Sequence, residues 1–430
     1  MSVRAVRSPV RSGLLEKALG CLDAERLVGL TMELVNVPSQ TGEEKAMALH
    51  FREVLASAGM RTILQEVSPG RLNVLGALEG TGGGRRLMFN GHLDVSLKGT
   101  EQGTGGIGYR AEARLVEDEW IYGMGAFNMK GALAAYVVAV EAVQKAGIRL
   151  AGDVLIAGVA GEIEKAPVEQ YQGDGYQGYG VGSKYLVTHG GLADMCVLGE
   201  PTQLRIVRCH MGTVWARIQI EGQLVHTAWS DREKNAIEKM PMVIEALKGW
   251  IPDYQRRHRV EGVAPKVNIA AIEGGWPWRA SRTPAACSVF LDVRTPPDLP
   301  QLTVLDELRG VMDEVEKRSP DLRWRVDLYV TGPGTSIPAD APVVRSLVEA
   351  HRETLGVEPE FEVGNWYSDA AHLNRYGVPS VNYGPGGRIR TGGSGWSPAE
   401  GEHQYIGDLI DCAKVYVDMI LRTCGAGDGA

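Results

Sequence analysis

Four short segments carry side chains whose types and spacing could do chemistry together. In L-M-F-N-G-H-L-D-V, His92 closes an apolar run and Asp94 follows two residues on. Residues two apart in an extended chain face the same side. The Asp94 carboxylate can therefore hold one imidazole nitrogen and leave the other free to ligate a metal. An isolated H-x-D pair more often marks a satisfied core histidine. In Y-G-M-G-A-F-N-M-K-G-A, Asn128 offers a neutral carboxamide with one good oxygen for a cation. In A-G-V-A-G-E-I-E-K, Glu162 stands at the end of an apolar strand, where burial would raise its pKa toward that of a general base. In V-L-G-E-P-T, Glu200 ends another apolar strand.

The elements that must position these groups follow an α/β rhythm. Thr41 and Glu44 read as a capping box ahead of a helix over residues 46–58, closed by Gly59. Three short apolar or alternating runs, R-T-I-L-Q-E-V, R-L-N-V-L-G-A-L and R-L-M-F-N, follow. A helix over 129–146, a strand over 153–159, a helix over 183–189 and a strand over 193–198 imply a mostly parallel sheet covered by helices. From residue 212 to 331 the order becomes strand, helix, strand, strand, helix, strand, the split βαβ arrangement. After T-G-P-G-T-S-I-P-A-D the α/β pattern resumes. The expected organisation is a catalytic domain over 23–208 and 334–430, interrupted by an α+β domain over 209–333. The basic start of the chain has no apolar core, and residues 1–22 are expected to be a mobile tail.

The net charge of -8, with no sustained basic stretch, argues against nucleic acid as a partner. The six cysteines are scattered with no C-x-x-C pair, which suits a reducing cytoplasm. No apolar run approaches the roughly 20 residues that span a bilayer, so a membrane is not an expected partner.

Taken in this order, the segments resemble the zinc-dependent family of acetylornithine deacetylase, succinyl-diaminopimelate desuccinylase, aminoacylase and glutamate carboxypeptidase. The likeness covers nearly the whole chain, insertion included. It implies a two-metal amidohydrolase scaffold whose inserted domain mediates dimers, so a homodimer or higher homo-oligomer is expected. It places His92 and Glu200 at metal-ligand positions and Glu162 at the general base. Asn128 falls where the family has an aspartate that bridges both ions, and a carboxamide is a poor bridge between dications. The ligand position after the base falls on Ile163. Glu164 is one residue late, and one step along extended chain turns a side chain away. The last family histidine, after G-P-G and just before S-P-A-E, falls on Trp396. His403 in G-E-H-Q-Y is a substitute expected to enter the final helix. All three changes fall on ligands of the same ion. The resemblance thus implies a mononuclear site of His92, Asn128 and Glu200, with Asp94 behind His92 and an apolar wall at Ile163 and Trp396.

Such a hard, oxygen-rich donor set favours Mn2+ as the single divalent ion, with Zn2+, Co2+ or Fe2+ as alternatives. Without a second ion to polarise a carbonyl, the substrate would supply its own electron sink. One member of the fold family, 5-nitroanthranilic acid aminohydrolase, does so, replacing an aromatic amine by hydroxide para to a nitro group. The resemblance extends to aromatic residues: Trp396 and Trp366, Tyr171, Tyr176 and Tyr179 in Y-Q-G-D-G-Y-Q-G-Y, and W-P-W-R-A-S-R with Trp276, Trp278, Arg279 and Arg282. A small substrate carrying a carboxylate would stack on such rings and pair with Arg279 or with Arg294 of L-D-V-R-T-P. His226 in V-H-T-A-W-S matches the family histidine that acts from the inserted domain. S-D-A-A-H, with Ser368 and Asp369, is expected to be structural. The expected function is metal-dependent hydrolysis of a carbon–nitrogen bond, best as deamination of 5-nitroanthranilate to 5-nitrosalicylate and ammonia. The alternatives are an N-acyl amino acid amidohydrolase and a catalytically dead metabolite binder; retention of His92 and Glu162 speaks against the last.

Overall fold

The computed structural model describes residues 9–392 and 397–425. The chain forms two compact units, one of Met1–Arg208, Ile337–Glu362 and Ser368–Ala430, the other of Cys209–Ser336 and Val363–Tyr367.

At the centre of the first unit four parallel strands lie in the order Val154–Val159, Leu87–His92, Met195–Leu198, Ser380–Asn382. All four are buried along their length, which is why they read as apolar runs rather than alternating ones. Successive side chains nevertheless divide between two cores. Val154 and Ile156 pack with helices Gly131–Lys145 and Ile406–Cys424, while Leu155, Ala157 and Val159 pack with Leu186, Val187 and Leu373 of helices Val181–Thr188 and Ala370–Arg375. Antiparallel strands Arg61–Ser68 and Arg71–Leu78 extend one edge. The result is the mixed α/β fold expected, with a mostly parallel sheet.

Because these strands run in parallel, their C-terminal ends share one edge of the sheet, where the following loops converge. His92 is the last residue of its strand, and Glu162 and Glu200 lie in the loops just after theirs. A Cβ on Gly199 would lie 2.4 Å from the Ala132 side chain and 2.5 Å from the Tyr136 hydroxyl. Glycine there lets the helix that starts at Gly131 lie against the Glu200 turn.

Three local expectations change. The N-terminal segment is helical from Pro9 to Leu19, with Leu15 and Ala18 buried and Arg11 paired with Asp418 at 2.8 Å. The apolar residues that follow the basic stretch dock this helix on the core, so a tail over 1–22 does not describe it; residues 1–8 lie outside the described part. No capping box forms at helix Lys45–Ser57: the Thr41 hydroxyl donates to Asp94, and Glu44 is buried against Arg71. Tertiary partners have taken both side chains. Residues 126–145 are also long and apolar enough for a membrane span by composition, contrary to the sequence expectation, but that stretch is mostly buried in the core.

The second unit is a four-stranded antiparallel sheet in the order Val267–Gly274, Ala286–Thr295, Gly212–Glu221, Trp324–Gly332. Alternate residues Val214, Ala216, Ile218 and Ile220 face helices Ala236–Arg257 and Gln301–Arg318. This is the split βαβ order read from the sequence.

Candidate metal centre

His92 Nε2 lies 2.9 Å from Asn128 Oδ1 and 4.0 Å from a Glu162 carboxylate oxygen. Ligand atoms of His92, Glu162 and Glu200 all lie within 4.8 Å of one another, and the three residues are buried. The second imidazole nitrogen, Nδ1, meets the main-chain oxygen of Asp94 at 2.8 Å. A carbonyl only accepts, so this contact assigns a proton to Nδ1; the Asn128 oxygen facing Nε2 is likewise an acceptor, and an ion held there would meet both the Nε2 lone pair and that oxygen.

The Asp94 carboxylate is engaged elsewhere. Its two oxygens accept the backbone N–H groups of Glu162 and Ile163, each at 3.1 Å, and the Thr41 hydroxyl at 2.9 Å. Its nearest oxygen is 3.8 Å from His92 Nδ1. The expected carboxylate–imidazole bond is therefore replaced by a carbonyl–imidazole bond. The strand ends at His92, and beyond it the same-side rule for extended chain no longer applies.

Asn128 comes from a distorted turn, residues 126–130, ahead of helix Gly131–Lys145. One oxygen of the buried Glu402 carboxylate accepts the N–H groups of Gly125 at 2.8 Å and Asn128 at 3.1 Å. Glu402 thereby clasps both ends of the step that presents the carboxamide. Lys130 turns away and donates to the Val37 carbonyl at 2.6 Å.

Burial and crowding of like charge dominate the electrostatics. Burial, with Glu200, Asp369 and Asp94 nearby, holds Glu162 well above the usual carboxylate range. Burial pushes Glu200 up to about 7 against the pull of His92. Asp369, also buried, rises to about 6 although the Ser183 hydroxyl opposes the shift. Burial disfavours a charged His92, yet Glu200 and Asp94 outweigh it and raise the imidazole. Burial lifts Glu402 to about 7 and lowers Lys130 to about 7. Glu162, Glu200 and Asp369 thus crowd around one imidazole, and a divalent cation is the counter-charge that would favour their ionised forms. The donors, mostly oxygen plus one imidazole, fit a hard divalent ion.

Among the described residues no second group of His, Cys, Asp and Glu is close enough to hold an ion. His403 lies not in the last helix but in strand His403–Tyr405, paired with Tyr122. Its Nδ1 faces the Gly401 carbonyl at 2.9 Å and its Nε2 accepts the Arg390 N–H at 3.2 Å. With both nitrogens used, it does not replace the family histidine. Glu164 is half-buried and acts on Glu162 and Glu200 through charge, outside the group. Ile163 contributes its N–H to Asp94.

The other expected residues divide between the two units. Trp396 lies outside the described residues. Tyr171 and Tyr176 are exposed and meet edge-on at 5.6 Å, whereas Tyr179 is buried. In the second unit Arg294 is nearly buried and paired with Asp292 at 2.9 Å. His226 there is half-buried and caps a short turn by accepting the Ala228 N–H. Arg279 is exposed beside Trp276 and Trp278, whose exposed rings stack on each other at 5.7 Å. Three residues of the site were missed: Asp369, expected to be structural, and Glu402 and Lys130, which drew no expectation. The available signal was an isolated charge in a run of small or apolar residues, as in M-K-G-A-L-A-A-Y and S-D-A-A-H.

Residues 88–422 match the model of Peptidase family M20/M25/M40. The chain belongs to this family. It is 27% identical over 380 residues to the acetylornithine deacetylase of Myxococcus xanthus, covering 86% of this chain and 88% of that one. It is 24% identical over 388 residues to the N-formyl-4-amino-5-aminomethyl-2-methylpyrimidine deformylase of Bacillus subtilis strain 168, covering 84% of each. Human carnosine dipeptidase 1 shares the fold with a TM-score of 0.73 at 16% identity, over 96% of this chain and 99% of that chain. A tripeptidase from Staphylococcus aureus shares it with a TM-score of 0.70 at 19% identity, over 94% of this chain and all of that chain. This M20 chain is a metal-dependent hydrolase acting on carbon–nitrogen bonds.

Proposed function

We propose that this M20 hydrolase works with one divalent ion, held by His92, Asn128 and Glu200, with Mn2+ favoured by the hard donor set. The observation that carries the proposal is the buried group of His92, Glu162 and Glu200 beside the Asn128 oxygen, with His403 committed to other bonds. The ion would acidify a water and stabilise negative charge. Glu162, whose carboxyl is held above the usual range by burial and by the nearby Glu200, Asp369 and Asp94, would take a proton from the attacking water on a carboxylate oxygen and return it to the leaving nitrogen.

The substrate class we propose is an aromatic amine bearing a carboxylate and an electron-withdrawing group, with 5-nitroanthranilate as the type. Its ring can carry the negative charge that a second ion would otherwise meet. Arg294, Arg279 and Trp396 would receive the carboxylate and ring, and His226 would donate to the developing charge, as the family resemblance implies. A second reading, an N-acyl amino acid hydrolase using one ion, is favoured by the named activities of the deacetylase and deformylase relatives. A homodimer and a cytoplasmic location are part of the same proposal.

Metal analysis of the purified protein tests the site: about one ion per chain is expected, lost in His92→Ala. Two ions per chain would refute the mononuclear site. Assay of 5-nitroanthranilate beside N-acetyl and N-formyl amino compounds then separates the substrate readings. Turnover of the nitro-aromatic in 18O-water must place label in the phenol; unlabelled product, or turnover of the acylated compounds alone, would exclude hydrolytic deamination.

A further inference from the structure

The two groups of residue 94 do different work. The main-chain oxygen takes the His92 Nδ1 proton at 2.8 Å, and any residue at that position would supply it. The side chain, 1% exposed, points its two oxygens at the two successive N–H groups of Glu162 and Ile163. Those amides follow Gly161, where φ is +65° and the chain turns out of the sheet. An unpaired N–H in such a buried turn would cost about 1–3 kcal/mol, so a charged acceptor for both is a strong constraint on the turn. Thr41 fixes the acceptor in turn, through its hydroxyl on the same oxygen that takes the Ile163 N–H.

We infer that the Asp94 carboxylate is a positioning residue for Glu162 rather than the partner that orients His92. This inference rests on the reading of Glu162 as the base, given above. It reassigns the carboxylate to the turn that aims the base. An imidazole-orienting partner, when removed, typically costs roughly 10–100-fold in metal affinity. Asp94→Asn keeps the main-chain carbonyl and nearly the same shape, but places an amide N–H₂ where a second N–H must be accepted.

The test uses the full chain and Mn2+ alone, with no substrate. Mn2+ affinity is measured by titration calorimetry, and amide hydrogen exchange is followed at Glu162 and Ile163, in the parent and in Asp94→Asn. The expected result is exchange at those two amides at least about tenfold faster, with Mn2+ affinity reduced less than about tenfold. Unchanged exchange overturns the inference, whatever happens to the metal. So does a loss of affinity of about tenfold or more, since the carboxylate would then be serving His92. If the parent itself binds no Mn2+, the metal reading fails, and the exchange comparison still decides the role of Asp94. Thr41→Val serves if Asp94→Asn does not fold: faster exchange at Ile163 with Mn2+ affinity unchanged supports the assignment, and unchanged exchange refutes it.

Discussion

At the scale of single residues, the site is an arrangement of buried carboxylates that address either the ion or the backbone. Glu162 and Glu200 face His92, while Asp94 and Glu402 grip peptide N–H groups. Glu162→Gln preserves shape and removes the proton acceptor; turnover should fall by about 10²–10⁴-fold while metal content, by elemental analysis, stays unchanged. Loss of the ion in that variant would make Glu162 a ligand instead. Glu402→Ala removes the single oxygen that accepts both N–H groups, so Mn2+ affinity should fall by about tenfold. Because Glu402 would act through Asn128, that loss should vanish when Asn128→Ala is already present. Full additivity in the calorimetric cycle would show that Glu402 acts on the site by another route.

At the scale of elements, convergence of loops at the C-terminal edge of the parallel strands does most of the positioning, and two features hold the elements at their spacing. One is the buried pair of Arg71 and Glu44, in which Nε meets the carboxylate at 3.1 Å. The same guanidinium donates to the Gln177 carbonyl at 2.6 Å, so it ties the tyrosine-bearing loop to the sheet. Arg71→Met strands a buried carboxylate and should destabilise the chain by about 3–5 kcal/mol, and Arg71→Met with Glu44→Met should recover much of this; urea unfolding of the two variants checks it. The other is the contact over Gly199, where an added methyl overlaps Ala132 and Tyr136. Gly199→Ala should cost about 1–3 kcal/mol by overpacking and loosen the Glu200 turn, seen as weaker Mn2+ binding together with a lower thermal midpoint.

At the scale of the whole molecule, the two units have separate cores, and the second carries its own acid-sensitive tie. Burial pushes Glu307 up, but hydrogen bonds from Arg257, His258 and Trp250 outweigh it and hold the carboxyl at about 2. A depressed carboxylate contributes stability above its unfolded value near 4.5 and loses it as pH falls toward the folded value. Glu307→Gln should therefore be less stable than the parent at neutral pH, with the gap closing between about pH 4.5 and 2. Unfolding midpoints measured across that range check the sign; a gap that widens on acidification would contradict it.

The sequence by itself determined the fold class and the places where chemistry could occur. Apolar runs ending in His92, or just before Glu162 and Glu200, mark buried parallel strands, and such strands deliver their ends to one edge. The switch from period-free apolar runs to the alternation of Val214, Ala216, Ile218 and Ile220 marks the inserted antiparallel sheet. The family resemblance implied, in addition, that Ile163 stands where a metal ligand would be needed. Only the tertiary structure decided how the remaining polar groups divide. It turned the Asp94 carboxylate from His92 to the Glu162 turn, committed His403 to Gly401 and Arg390, took Thr41 and Glu44 from the helix cap, and brought Asp369 and Glu402 to the site. The physical reason is range. Strand and helix periodicity is set by neighbours a few residues apart, whereas a buried polar group takes whichever partner folding brings within about 3 Å, here often from a segment far away in the chain.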